Sequence, residues 1–149
     1  MLEIRKAKPK DAKTLLDLYR NHLAKQPPEE FGDLEIFRNK IAKLEAEPLY
    51  HVLVGELKGQ LVSTVTLIVI ENLTYNMRPY AIIENVVTHA GFRNKGYAAA
   101  LMAKASEIAA SFNCYKIMLL SGSKKEETLR FYENYGFDRH EKTGFIKRL

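Results

Sequence analysis

Cysteine is nearly absent: the 149 residues hold one, Cys114, which excludes an internal disulfide and any zinc site built on a cysteine pair. The four histidines, His22, His51, His89 and His140, lack metal-ligand spacing, so no metal is expected. The long apolar run, Leu61 to Ile70, is interrupted by Ser63, Thr64 and Thr66 and is too short to span a bilayer. Met1-Leu2-Glu3-Ile4-Arg5 alternates like a strand, with no apolar signal-peptide core behind it. The expectation is a cytoplasmic protein with no membrane partner. Repeats, low-complexity tracts and linkers are missing, and the length suits one domain, 1–149, with one core. Neither a G-x-x-x-x-G-K-[ST] loop nor a three-glycine dinucleotide fingerprint occurs. Basic residues are scattered, without a recognition-helix pattern or aromatic–basic stripe, so nucleic acid is not an expected partner.

What the chain does have is an uneven charge. Residues 1–90 carry 12 Lys+Arg against 12 Asp+Glu, whereas residues 91–149 carry 11 against 6, so the whole excess of +5 lies in the second part. An anionic ligand there and a merely solvated basic surface both fit that asymmetry.

The apolar pattern predicts a compact order of elements. Leu2 and Ile4 begin a strand. Lys8-Pro9-Lys10-Asp11 starts a helix marked by Ala12, Leu15, Leu16, Tyr19 and Leu23, which Gln26-Pro27-Pro28 breaks. Leu34, Phe37, Ile41 and Leu44 mark a second helix, closed by Pro48. Strands follow from about Tyr50 to Leu57 and Leu61 to about Glu71, turning at Lys58-Gly59, and Ala81 to Thr88 is a fourth. Ala98, Leu101, Met102, Ala105, Ile108, Ala109 and Phe112 form the clearest helical face. Lys116 to Ser121 reads as a central strand, Glu126 to Tyr135 as a helix ended by Gly136, and Thr143 to Leu149 as a returning strand. The class is α+β with a mixed sheet.

The segment Arg93-Asn94-Lys95-Gly96-Tyr97-Ala98 joins a buried strand to an amphipathic helix. A helix that starts there leaves its first N–H groups unpaired beside its positive dipole end, and Gly96 and Ala98 leave room for an anion to approach. Taken alone, this hexapeptide reads as an ordinary strand-to-helix connection with a glycine in it.

Its surroundings carry more. Arg93 to Ala98 fits the Q/R-x-x-G-x-G/A signature of the GNAT acetyltransferase superfamily. Ile83-Glu84-Asn85-Val86-Val87 before it and Phe131-Tyr132-Glu133-Asn134-Tyr135-Gly136-Phe137 after it fit in the same order. The chain thus resembles that superfamily over essentially its whole length. Asn113-Cys114-Tyr115-Lys116-Ile117 is similar to the glucosamine-phosphate acetyltransferase branch, although Glu84-Asn85 stands where that branch has Glu-Asp and Thr128 where it tends to have Asn.

The resemblance implies a single GNAT-type domain with a mixed sheet of about six to seven strands, splayed between the fourth and fifth, and about four helices. It implies acetyl-CoA as acetyl donor and direct transfer to a primary amine of an amino sugar, amino acid or polyamine, with a homodimer possible. Alternatives are a CoA-binding sensor with little catalysis, or a protein or peptide N-acetyltransferase. Arg93, Asn94, Lys95, Gly96, Tyr97 and Ala98 would hold the pyrophosphate, and Val86, Val87 and Thr128 would also touch CoA, with the Val87 backbone donating to the thioester oxygen. Tyr132 would be the general acid. A phenol at pKa ~10 protonates a thiolate of ~8.5 uphill by about 2 kcal/mol, yet its hydrogen bond strengthens as sulfur gains charge.

Glu84 is the general-base candidate, since a carboxylate within an apolar run must face water, a ligand or a partner. Substrate positioning or an ion pair with Arg78 serves equally well. Asn85 lies on the opposite strand face by alternation. Tyr75, Arg78 and Asn85 are acceptor-binding candidates, and the Pro27-Pro28-Glu29-Glu30-Phe31 loop and Asn72 to Tyr80 would flank the entrance. Lys124, Lys125 and Arg130 could meet the 3′-phosphate, and Ser121-Gly122-Ser123 reads as a phosphate-adjacent turn or helix cap.

Overall fold

The computed structural model describes residues 1–23 and 32–149; the Gln26-Pro27-Pro28 breaker and the Pro27–Phe31 loop lie outside them. Strand β1 (Glu3–Lys6) leads through a 3₁₀ turn, Pro9–Asp11, into helix α1 (Ala12–His22). Arg5 fixes that corner, donating to both Asp11 oxygens at 2.7 and 2.9 Å and to Glu56 at 2.7 Å. Helix α2 (Leu34–Ala46) is capped by Asp33, whose side chain accepts from the Glu35 and Ile36 amides. Then follow β2 (Tyr50–Leu57), β3 (Gln60–Ile70), β4 (Tyr80–Thr88), a 3₁₀ turn Ala90–Phe92, α3 (Tyr97–Ser111), β5 (Ile117–Leu119) and α4 (Glu126–Glu133). Gly136, at φ 89°, lies just past α4, its amide bonded to the Glu133 carbonyl.

The sheet order is β1-β2-β3-β4-β5, antiparallel except for the parallel β4–β5 pair. Val52, Val54 and Val87 form a core with Ala12, Leu15 and Leu18 of α1 and Ile41 of α2 on one face. Leu53, Val65, Leu67, Ala81 and Ile83 form a second core with Leu101, Met102, Ala105 and Ala109 of α3, and Phe131 and Tyr132 of α4 pack against it. Each fully buried Leu or Ile contributes about 1.5–3 kcal/mol through area removed from water. β3, between β2 and β4, is buried along nearly its whole length, which its run of Val, Leu and Ile satisfies.

The described residues hold five strands and four α-helices, so the expected sheet of six to seven strands is too large. Thr143 to Leu149 is not a strand, and Phe145 and Ile146 are 90% and 65% exposed. Its residue types suit a strand, but β5 offers an edge only three residues long. Arg139 also pairs with Glu126 and Glu133 of α4, steering the chain along that helix. No described helix is long and apolar enough to cross a membrane.

Candidate active site

The site grows from a mismatch in length. β5 pairs with β4 only at Ala81↔Ile117, Ile82↔Met118 and Ile83↔Leu119, whereas β4 runs on to Thr88. From Glu84 onward β4 is bonded to β3 alone, and its other edge opens towards the β5–α4 loop.

A bulge sits at the start of that open edge. Thr66 faces Glu84 and Thr64 faces Val87, so Val65 alone opposes both Asn85 and Val86. Asn85 is the extra residue and takes a left-handed φ of 52°, which Asn tolerates better than most side chains. The bulge breaks the expected alternation. Val86, not Asn85, joins the α3-side core, and Val87 is buried on the α1–α2 side. It also reassigns the amides. The His89 N–H bonds the Val62 carbonyl on β3, so two-residue alternation turns the Val87 N–H to β3 as well and leaves that of Val86 facing the gap. The amide that faces the gap is therefore that of Val86, whereas that of Val87 is turned to β3.

The gap opens into a cavity of about 870 Å³ whose lining includes Glu84, Asn85, Val86, Lys124, Thr128 and Tyr132. Glu84 is exposed and shares the α1–α2 face with Thr66 and Val52 through the β2–β3–β4 register. Tyr50, two residues before Val52 and therefore on the same face, has its phenol pKa pushed up by burial and then by the Glu84 charge. The sequence reading missed it, because only the register brings the two together. Tyr132 belongs to the other face, packed edge-on to Phe131 and Phe137, and burial pushes its phenol pKa up. A carboxylate and a protonated phenol thus flank the gap from opposite sides. Ser123 organises the start of α4: its Oγ accepts from the Lys125 amide and donates to Thr128 Oγ1 at 3.3 Å.

Just beyond β4, Arg93 to Ala98 leads into α3. Gly96 is the residue before the helix, with φ 79° and nothing within 4 Å of where a Cβ would stand. The glycine answers a backbone demand and leaves open space. Ala100 makes the first intrahelical bond, to the Gly96 carbonyl, so the Tyr97, Ala98 and Ala99 amides are free of intrahelical acceptors. Arg93 Nε reaches back to the Thr88 carbonyl at 3.2 Å, Asn94 is left-handed, and the Lys95 ammonium lies 5.2 Å from the Phe92 ring centroid.

Two acceptor candidates stand elsewhere. Tyr75 and Arg78 precede the paired start of β4, at the end opposite the gap. Tyr75 stacks on Tyr115 with centroids 4.1 Å apart, and Arg78 donates to the Asn113 and Cys114 carbonyls after α3. Three successive left-handed residues, Tyr75, Asn76 and Met77, fold the hairpin tip back that way. Arg78 is therefore not the partner of Glu84. Lys125 lines the cavity, whereas exposed Arg130 pairs with Glu126. Cys114 is half-buried against the second core and its thiol pKa is raised by burial, as suits a packing residue.

The sequence matches the Acetyltransferase (GNAT) family over residues 15–137. It is 30% identical over 141 residues to a glucosamine 6-phosphate N-acetyltransferase of Trypanosoma brucei brucei, covering 95% of this chain and 92% of that protein. Among solved structures it is similar to a candidate acetyltransferase of Agrobacterium tumefaciens strain C58, with 38% identity, TM-score 0.88 and 99% of both chains covered. The glucosamine-6-phosphate N-acetyltransferase of Arabidopsis thaliana shares the fold at TM-score 0.84 and 20% identity, over 100% of this chain and 98% of that one. GNAT enzymes use acetyl-CoA. With the matched region spanning the open edge of β4, the Gly96 turn and Tyr132, this chain belongs to the GNAT acetyltransferase family and is an acyltransferase.

Proposed function

We propose that the chain moves an acetyl group from acetyl-CoA directly to the primary amine of a small molecule, and that an amino sugar such as glucosamine 6-phosphate is the first acceptor to test. The observation that carries this reading is the placement of Glu84 and Tyr132 on opposite faces of one open strand edge, around a single cavity. The relative from Trypanosoma brucei brucei supports the choice of acceptor.

Each group then has one task. The free amides of Tyr97 and Ala98, with Arg93, Asn94, Lys95 and Gly96 around them, receive the pyrophosphate. The Val86 N–H, free of β5, holds the thioester oxygen and stabilises the negative charge that develops there. Glu84 takes the proton lost by the attacking amine on the α1–α2 face. Tyr132, kept protonated by burial, donates to the sulfur as the carbon–sulfur bond breaks on the α4 face. Thr128 and Lys124 contribute polar contacts along the cavity wall.

An amine panel of amino sugars, amino acids, polyamines and short peptides, read by release of free CoA, tests the proposal. Acceleration by glucosamine 6-phosphate above all others is the expected result. Acetyl-CoA hydrolysis unaffected by every amine would overturn it.

A further inference from the structure

Two histidines outside the cleft meet at the root of the Gly96 turn. His22, in the last turn of α1, and His89, just past β4, have ring centroids 4.3 Å apart and planes inclined by 50°. Each uses Nδ1 as an acceptor. The Gly91 N–H donates to His89 Nδ1 at 3.0 Å, and the Ala90 N–H donates to His22 Nδ1 at 3.4 Å. Phe92 packs edge-on to His89 at 5.5 Å between centroids, and its ring also carries the Lys95 ammonium. Two amides of the Ala90–Phe92 turn thus end on imidazole nitrogens, and that turn delivers the chain to Arg93.

We propose that His22 and His89 are positioning residues for acetyl-CoA: their neutral Nδ1 atoms hold the Ala90–Phe92 turn, and through it the Arg93–Ala98 phosphate site. The inference rests on reading that site as the CoA site. An Nδ1 that accepts an N–H must carry no proton, so protonation replaces each bond by two opposed donors. The two adjacent rings would then also hold like charges. Among the described residues, the charged and titratable groups acting on His22 are His89 and Arg93. Burial first, and then those two neighbours, lower its pKa below the ordinary imidazole value. The sign follows: the His22 bond is present above that lowered value and is lost as pH falls through it. Acid therefore loosens the turn even though it adds positive charge near a phosphate site.

Titration calorimetry with CoA as the probe separates the possibilities. His89→Leu should weaken CoA binding about fivefold at pH ~7.5, the size of one lost hydrogen bond, and His22→Leu by less because its bond is longer. His89→Asn, whose amide oxygen can accept the Gly91 N–H, should bind within about twofold of the wild type. Between pH ~7.5 and ~5.5 the wild type should weaken about threefold more than His22→Asn, whose amide oxygen can accept the Ala90 N–H without titrating, phosphate ionisation being common to both. Unchanged binding in His89→Leu, or parallel pH curves for wild type and His22→Asn, would overturn the proposal.

A readout on the unmutated protein guards against variants that misfold. The Ala90 amide resonance should move with the His22 titration, and an amide that ignored it would equally sink the idea. Gly96→Val serves as the control for the site itself. If it bound CoA normally, the placement of CoA would be wrong, whatever the histidines do.

Discussion

The two halves of β4 differ less in sequence than in company. From Tyr80 to Ile83 the strand is bonded on both edges, and its Ala81 and Ile83 side chains are at most 1% exposed. From Glu84 to Thr88 it keeps only β3, carries a bulge, and places Glu84 and Asn85 in the open. The first half anchors the fold and the second leaves an open edge on the cavity, within one element nine residues long. Free backbone donors are costly when buried and useful when a ligand completes them, so a strand that outlasts its neighbour is an economical way to build a site.

That contrast can be broken from either half. The largest effect expected is on Glu84→Gln, with kcat for the best amine about a thousandfold lower and the KM for acetyl-CoA little changed. A variant that kept full turnover would leave the open half without its base. Ile83→Ala, one residue away, should cost about 3 kcal/mol of stability in a denaturant melt while sparing the acetyl-CoA KM of the folded enzyme. Tyr132→Phe should lower kcat about a hundredfold. Burial raises this phenol above its ordinary value, so Tyr132 stays protonated through neutral and moderately alkaline pH. The loss should therefore be uniform from pH ~6 to ~9, and a deficit confined to the alkaline end would argue against a buried proton donor. Smallest is Asn85→Val, which forces a β-branched residue into a left-handed conformation at about 1–2 kcal/mol. Asn85→Gly should lower the melting temperature far less, and equal melting points would show that the bulge imposes no strain.

Much of this was legible from residue order. The apolar run at Lys116 gave a strand but not its place, since β5 is an edge and not the centre of the sheet, while the period of Ala98 to Phe112 gave α3 and Gly96 marked the helix start. Local pattern succeeds there because the partner of each face is a neighbour along the chain or the bulk core. It fails where the answer depends on a distant edge. Thr143 to Leu149 has strand-like residues, but nothing in them tells that β5 is short or that Arg139 is held by α4. The alternation argument for Asn85 assumed two residues per repeat, and a bulge suspends that rule with no signal beyond an Asn in a strand. Arg78 looked like a loose cation at the cleft because three left-handed residues in a row are invisible in the sequence. The meeting of His22 with His89 is purely tertiary.

The surplus residue at Asn85 makes β4 one position longer than the β3 segment it faces. Deleting it would keep Glu84 opposite Thr66 and Val87 opposite Thr64, and would let the strand lie flat with its hydrophobic faces unchanged. Such a chain should still fold, yet its open edge would straighten and draw towards β5. The width of the opening that admits a ligand would then rest on one surplus residue in a strand of nine.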